Sequence, residues 1–228
     1  MQVSLEIIVL SDLNITPLRP MVLRQEIIEI LKSIKCVEQI IAFGSLARGD
    51  WDRWSDIDLL LIVQNHADVL TLYEVIKQEK QILYNHPLTL AEPYGVHCLG
   101  TIFEDESVFT CVDFNFLSMA DARQPDALSR FAQVEILYNR LSNETEQNNT
   151  VYPQQELTPR HAEIATAIHF LKKAIKQSLR GNHDSITTIR RKETLATIMR
   201  KYADDYGNIG EIASRYLDIA QALLENDG

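Results

Sequence analysis

The chain has 228 residues and a formal net charge of −10 at pH 7, with 46% hydrophobic and 24% charged residues. This is the mixture of an ordinary globular protein, and the length suffices for one large or two small domains without disulfide or metal staples. A surface with this much excess negative charge repels nucleic acid phosphates, so a long DNA or RNA is not expected as a partner.

The sequence shows neither a targeting segment nor a cysteine motif. The first residues have no basic region and carry Glu6 within their short apolar run, which argues against a secretory signal. No apolar run approaches the ~18 residues that a membrane-spanning helix needs. Cys36, Cys98 and Cys111 lack the spacing of a zinc site or a disulfide framework. We therefore expect a cytoplasmic protein without a membrane anchor.

Apolar runs and helical patterns alternate along residues 1–142, which predicts an α/β domain there. Apolar residues spaced three or four apart predict helices at residues 21–34 and 67–84. Short apolar runs that end at glycine or at polar turns predict the strands. The run at 57–63 is almost wholly apolar, as expected for a strand covered on both faces. The predicted strands are residues 3–10, 37–43, 57–63, 95–103 and 108–117.

A polar stretch rich in asparagine and glutamine, residues 143–154, predicts an exposed linker. Beyond it, three apolar stripes with helical spacing predict a helical domain at residues 155–228. The stripes are Ile164, Ile168, Leu171, Ile175 and Leu179; Ile186, Ile189, Leu195, Ile198 and Tyr202; and Ile212, Tyr216, Ile219 and Leu223.

The chemically informative segment is residues 43–61. Gly44 and Ser45 follow a predicted strand and open a helical turn, whose first N–H groups lack partners within the helix and can bind an anion. Asp56 and Asp58 begin the next strand, where residues two apart share a face, so their carboxylates converge. Hard oxygen ligands of this kind suit Mg²⁺. A D-x-D pair alone is weak evidence, because solvated or capping aspartates are common, but the combination is specific.

The motif G-S-x10-D-x-D, flanked by F-G-S-x-A-R-G and S-D-I-D-L, resembles the polymerase-β-like nucleotidyltransferase superfamily. The most similar members by pattern are the kanamycin, streptomycin and lincosamide nucleotidyltransferases and the minimal nucleotidyltransferases. The motif covers residues 40–63, and the order of predicted elements extends the resemblance over residues 20–118. It implies a nucleotidyltransferase core with a mixed sheet, followed in this chain by an all-α bundle.

The resemblance also implies a third carboxylate on a later strand, and Asp113 in the apolar run 112–116 supplies one. A charged side chain in such a run needs a partner, and a metal ion is a good one. The alternative is a strand-end aspartate that hydrogen-bonds a loop. By the resemblance, Asp56 and Asp58 hold the Mg²⁺ that grips the triphosphate, and all three aspartates hold a second Mg²⁺.

The remaining predicted nucleotide contacts lie around the Gly-Ser turn. Ser45 is expected to bond a β- or γ-phosphate oxygen beside Gly44. Arg48, one helical turn beyond Gly44, either faces the same phosphates or pairs with an aspartate of the following loop. Ser55 completes the predicted nucleotide-binding set.

The resemblance implies a Mg²⁺-dependent nucleotidyltransferase that moves AMP from ATP, or another nucleoside monophosphate, onto a hydroxyl and releases pyrophosphate. The two-domain layout and the net negative charge favour a small cationic acceptor such as an aminoglycoside-like antibiotic. Two alternatives are open: a protein-modifying, AMPylating antitoxin of the minimal nucleotidyltransferase type, and a non-catalytic nucleotide-binding module. The sequence also leaves open a separate general base, a homodimer and a protein partner.

Overall fold

A computed structural model gives the fold and describes residues 12–86, 88–91, 93–140, 159–182, 185–201 and 207–226. The chain divides into two compact units. The sheet unit comprises the described residues of Thr16–Asp105 and Thr110–Glu156, and the helical unit those of Met1–Ile15, Glu106–Phe109 and Leu157–Gly228. The predicted strand 3–10 and the predicted linker 143–154 lie outside the described residues. The predicted domain boundaries at 142 and 155 therefore stay predictions.

The sheet unit contains a mixed, seven-stranded sheet. Its strands are β1 (Val37–Phe43), β2 (Ile57–Val63), β3 (Ile82–Tyr84), β4 (Thr89–Leu90), β5 (Val96–Phe103), β6 (Val112–Ser118) and β7 (Glu135–Asn139). They lie in the order β3-β5-β6-β2-β1-β7, with β4 paired to β5 beside this path. Strands β2 and β6 are parallel, whereas the other described pairs are antiparallel. The predicted fold class, a mixed sheet followed by a helical region, is confirmed.

The described residues of this unit form four helices: α1 (Arg19–Lys32), α2 (Gly44–Arg48), α3 (Asp68–Glu79) and α4 (Met119–Ala122). The helix predicted at 67–84 was too long. It ends at Glu79 because Lys80 takes an extended conformation, with φ −145° and ψ 118°. Leu83, which departs from the helical spacing, lies in β3, and β3 pairs with β5.

The two faces of the sheet are covered differently. The odd-numbered residues of β2 and the phenylalanines of β6 enter the main hydrophobic core together with apolar residues of α1 and α3. On the opposite face, Leu60 and Leu117 form a smaller core with Ala127. Asp58 and Asp113 stand an even number of residues before Leu60 and Leu117, so they lie on this second face. The packing therefore keeps the aspartates out of the main core.

Three helices form most of the helical unit: α5 (Pro159–Leu179), α6 (Ser185–Lys201) and α7 (Gly207–Asn226). Stripe residues such as Ile164, Leu171 and Ile212 are fully buried. Gly181, which follows α5, has the positive φ of 84° expected of a residue that ends a helix. Within the described residues, the helices are all too short or too polar to cross a membrane.

The segment that joins β5 to β6 is fastened within the helical unit. Asp12 is buried and accepts hydrogen bonds from the Val108 amide at 3.0 Å and from the Arg215 guanidinium at 2.6 and 3.0 Å. Tyr216 donates its hydroxyl proton to the Val108 carbonyl, and its ring packs edge-on against Phe109. Polar and aromatic contacts therefore fix Val108 and Phe109 within the helical unit.

A buried histidine lies just beyond β2. Nε2 of His66 is 3.5 Å from Oδ2 of Asp121, and the Ser118 hydroxyl donates to the same oxygen at 3.2 Å. Burial lowers the pKa of His66, and the nearby Asp121 charge opposes this shift only in part. The folded protein therefore resists protonation at this site.

Stability is expected to fall as the pH drops below ~6.5, the ordinary pKa of histidine. The unfolded chain then takes up a proton that folded His66 resists, so the unfolded state binds more protons. Urea unfolding between about pH 5 and 8 should show this slope, and His66→Gln should reduce it. The exposed His161 offers a matched substitution, and His66→Gln should reduce the slope more than His161→Gln does. An undiminished slope in His66→Gln would show that His66 is not the group responsible for the pH dependence.

Candidate active site

Asp58 lies against the glycine that follows β1. Phe43 and Asp58 are paired across β1 and β2, so the turn at Gly44 begins beside the aspartate. A Cβ added at Gly44 would stand 2.0 Å from Oδ2 of Asp58, far inside van der Waals contact. Gly44 also has a φ of 69°, which residues with a Cβ rarely adopt. Both the close approach and the backbone conformation require glycine here.

The short helix α2 begins at this glycine. Phe43 before it is extended, and the helix ends at Gly49, whose φ is 81° and whose N–H donates to the Ser45 carbonyl at 3.0 Å. The first N–H groups of a helix have no acceptor within the helix and can bind an anion. The Gly44–Ser45 turn thus places the first amides of α2 next to the Asp58 carboxylate.

Asp113 is the direct neighbour of Asp58. The parallel strands β2 and β6 pair Asp58 with Asp113, and parallel partners stand on the same face at a strand spacing of about 4.8 Å. Asp56 directly precedes β2. At the start of β2 the Ile57 N–H donates a hydrogen bond of 2.9 Å to the carbonyl of Cys111, the residue before β6, so the parallel pairing begins next to Asp56. All three aspartates are half-buried. The fold therefore places all three aspartates at the beginnings of β2 and β6, which are adjacent strands.

Their side chains do not form a closed ligand cluster. Among the described residues, no three His, Cys, Asp or Glu side chains stand close enough together to hold a metal ion. Oδ1 of Asp113 accepts a hydrogen bond from the Gly100 amide of β5, and the Asp58 carboxylate lies against Gly44. Carboxylates repel each other at short range unless a cation lies between them. Carboxylate oxygens are the ligands that Mg²⁺ prefers, but an ion shared by these aspartates requires their carboxylates to turn toward one another.

The other two predicted nucleotide contacts have partners in the loop after α2. Arg48 forms an ion pair with Asp50 at 3.2 Å, one of the two arrangements that the sequence allows. Ser55 is buried, and its hydroxyl accepts from the Asp52 amide at 2.9 Å and donates to Oδ1 of Asp52 at 3.1 Å. Ser55 thus closes the loop immediately before Asp56.

Gly100 is the site residue that the sequence analysis missed. It lies inside β5 with a φ of 76° and donates to the Asp113 carboxylate. A glycine within a predicted strand is a recognised signal of a bulge. Its partner across the sheet, however, becomes visible only with the strand register.

A family model for the nucleotidyltransferase domain matches residues 24–110. A Methanocaldococcus jannaschii protein, MJ0141, which is named as a protein adenylyltransferase, is 30% identical over 90 residues, and the match covers 36% of this chain and 91% of that protein. This chain belongs to the nucleotidyltransferase-domain family. The region that the family model matches includes Gly44, Ser45, Asp56 and Asp58 and ends before Asp113. The position of Asp113 in this nucleotidyltransferase therefore rests on its pairing with Asp58.

Two solved structures are more distant from this nucleotidyltransferase. A cytoplasmic RNA terminal U-transferase is 19% identical with a TM-score of 0.33, and the match covers 42% of this chain and 29% of that one. The STING-associated CdnE c-di-GMP synthase from Capnocytophaga granulosa is 16% identical with a TM-score of 0.30, covering 89% of this chain and 78% of that one. At this level of similarity the substrates of neither protein bear on this chain.

Replacing Gly44 by alanine should cost more stability than replacing Gly49. Both glycines have positive φ, so each alanine carries a similar conformational cost of about 1–2 kcal/mol. At Gly49 nothing lies within 4 Å of the added Cβ, whereas at Gly44 it meets Asp58. Urea unfolding should show a further loss of about 1–3 kcal/mol for Gly44→Ala, as for overpacking.

A double-mutant cycle tests whether that contact is responsible. The two atoms nearest to the added Cβ are Oδ2 and Cγ of Asp58, and Asp58→Ala removes both. The extra loss of Gly44→Ala should therefore shrink in the Asp58→Ala background. Equal losses in both backgrounds would show that the Asp58 contact does not matter.

Proposed function

We propose that the site binds a nucleoside triphosphate, ATP in the first instance, and transfers its nucleoside monophosphate to an acceptor hydroxyl. The observation that carries the proposal is the pairing of Asp58 with Asp113 on one sheet face, directly beside the Gly44–Ser45 turn. That pairing sets carboxylate oxygens next to backbone amides that can bind a triphosphate. Membership of the nucleotidyltransferase family supports the same reaction class.

Asp56, Asp58 and Asp113 would hold the divalent cations. Bound there, Mg²⁺ supplies charge neutralisation for the triphosphate and lowers the proton affinity of a coordinated hydroxyl. The amides of Gly44 and Ser45, with the Ser45 hydroxyl, bind β- and γ-phosphate oxygens. Arg48 lies in an ion pair with Asp50, so any contribution to the phosphates requires it to leave that partner.

The transfer is an in-line displacement at the α-phosphorus. The acceptor hydroxyl oxygen forms a bond to this phosphorus, and the bond to the bridging oxygen of the β-phosphate breaks. Pyrophosphate leaves with that electron pair, and the hydroxyl proton passes to a carboxylate, which we assign to Asp113. The protein contributes mainly position and preorganised charge.

Two acceptor classes have support. The similarity to MJ0141, named as a protein adenylyltransferase, favours the hydroxyl of a protein side chain. A match over 90 residues covers most of MJ0141, whereas this chain has a helical unit in addition. That extra unit and the net charge of −10 favour a small cationic acceptor such as an aminoglycoside-like antibiotic.

The reaction is tested with ATP labelled at either the α- or the γ-phosphorus. Label at the α-phosphorus should appear in the acceptor and label at the γ-phosphorus in pyrophosphate, in Mg²⁺ but not in a chelator. Aminoglycosides, lincosamides and candidate proteins are offered in parallel, so that the labelled product identifies the acceptor class. Transfer of γ-label to the acceptor would instead make the chain a kinase.

Asp58→Asn is expected to lower the rate of pyrophosphate release at least ~100-fold, because it removes a negative charge from the centre of the predicted metal site. Glu79→Gln is the matched control: it replaces a carboxylate by an amide on an exposed side chain at the end of α3, outside the site, and should retain activity. Both variants should show wild-type circular dichroism. A fully active Asp58→Asn enzyme would refute the proposed site.

A further inference from the structure

We infer that the glycine bulge in β5 is a positioning device for Asp113, with the Gly100 amide holding one carboxylate oxygen. The inference rests on the proposed function in so far as Asp113 is a metal ligand. Gly100 does not touch substrate in this scheme, and it acts through Asp113.

The strand register shows the bulge. Cys98 pairs with Phe114 and Thr101 pairs with Val112, so two residues of β5 stand opposite Asp113 alone. Such a bulge takes the extra residue out of the regular ladder and redirects its backbone groups. The redirected N–H of Gly100 donates to Oδ1 of Asp113. The irregularity in β5 thus lies opposite the aspartate that the reaction needs.

The conformation of Gly100 explains why this residue is a glycine. Its φ is 76°, in the left-handed region, yet nothing lies within 4 Å of the position that a Cβ would occupy. Gly44 differs, since a Cβ there meets Asp58. Glycine at position 100 is therefore required for the backbone turn that aims the amide, and not for lack of space.

The bulge is also held from the other side of β5. Thr101, the next residue, is fully buried, and its hydroxyl lies 3.3 Å from the Tyr73 hydroxyl of α3. This contact limits the freedom of the strand directly after Gly100. The amide that meets Asp113 is thus part of a backbone anchored to the main core, and not of a mobile loop.

The amide has two consequences for Asp113. A hydrogen bond from a backbone N–H to a carboxylate is charge-assisted and strong, and it stabilises negative charge next to Asp58. It also fixes the rotation of the carboxylate, because Oδ1 is tied to β5. With Oδ1 tied to Gly100, Oδ2 is the Asp113 oxygen that remains for the proposed reaction.

The hydrogen bond can be tested without any enzymatic activity. In an amide proton–nitrogen NMR spectrum, the Gly100 amide proton should lie downfield because it donates to the Asp113 carboxylate. It should move upfield in Asp113→Ala, which removes the acceptor. A Gly100 amide proton that is unchanged in Asp113→Ala would overturn the inference.

The positioning role is tested with substitutions that differ in their tolerance of positive φ. Asparagine accepts the left-handed region, whereas β-branched valine does not. Gly100→Val should weaken Mn²⁺ binding about 10-fold, as expected when a metal ligand loses the residue that orients it. The binding is measured by electron paramagnetic resonance in the presence of α,β-methylene-ATP. The same variant should lower kcat more than it changes KM. Gly100→Asn should stay close to wild type. If Gly100→Val does not fold, Gly100→Ala takes its place.

Gly181 provides the matched control. Its φ is 84°, nothing lies within 4 Å of its Cβ position, and it belongs to the helical unit. Gly181→Val should lower the unfolding midpoint and leave Mn²⁺ binding unchanged, and equal effects at the two glycines would overturn the inference. Wild-type protein that binds no Mn²⁺ would overturn both the inference and the metal role of Asp113. Intact Mn²⁺ binding without transfer to any acceptor would overturn the proposed reaction alone.

Discussion

The contact between the Asp58 carboxylate and the Gly44 backbone is the constraint on which the site depends. It sets the length of the connection, since the chain must leave β1, form one helical turn and return so that Asp58 pairs with Phe43. The left-handed Gly49 ends the turn, and the mutual hydrogen bonds of Ser55 and Asp52 close the return path. The spacing G-S-x10-D-x-D therefore follows from the geometry of this loop as well as from the chemistry that we propose for the aspartates.

The main hydrophobic core and the Asp58–Asp113 pair lie on opposite faces of the same sheet. The face toward α1 and α3 buries the odd-numbered residues of β2 and the phenylalanines of β6, so hydrophobic burial is concentrated there. The other face has a smaller core around Leu60 and Leu117 and leaves Asp58 and Asp113 half-buried. At that position the Gly100 amide donates a hydrogen bond to Asp113, and neither aspartate is fully desolvated. Burial of the same pair within the main core would be far more costly.

How much of the site the sequence predicts depends on whether the residues concerned lie close together along the chain. Gly44, Ser45, Asp56 and Asp58 lie in one short segment, so their spacing predicts both the turn after β1 and the strand that begins at the aspartates. The break at Lys80 was missed because apolar residues continue past it, and the pairing of β3 with β5 prevails over that pattern. Strand β7 was not predicted because its sequence, EILYN, shows no alternation of apolar and polar residues. In the structure its Ile136 is 59% exposed. The role of Gly100 needs the register between β5 and β6, which a sequence alone does not contain.

Asp113 is the aspartate whose position depends most on distant parts of the chain. Its register comes from β2, its hydrogen bond comes from β5, and it lies beyond the region that the family model matches. The strand that carries it starts shortly after the segment Glu106–Phe109, which belongs to the helical unit and is bound there by Tyr216. The backbone therefore leaves the helical unit only a few residues before Asp113. The first two aspartates are therefore fixed by a local turn, whereas the place of the third depends on strand pairing between distant parts of the chain.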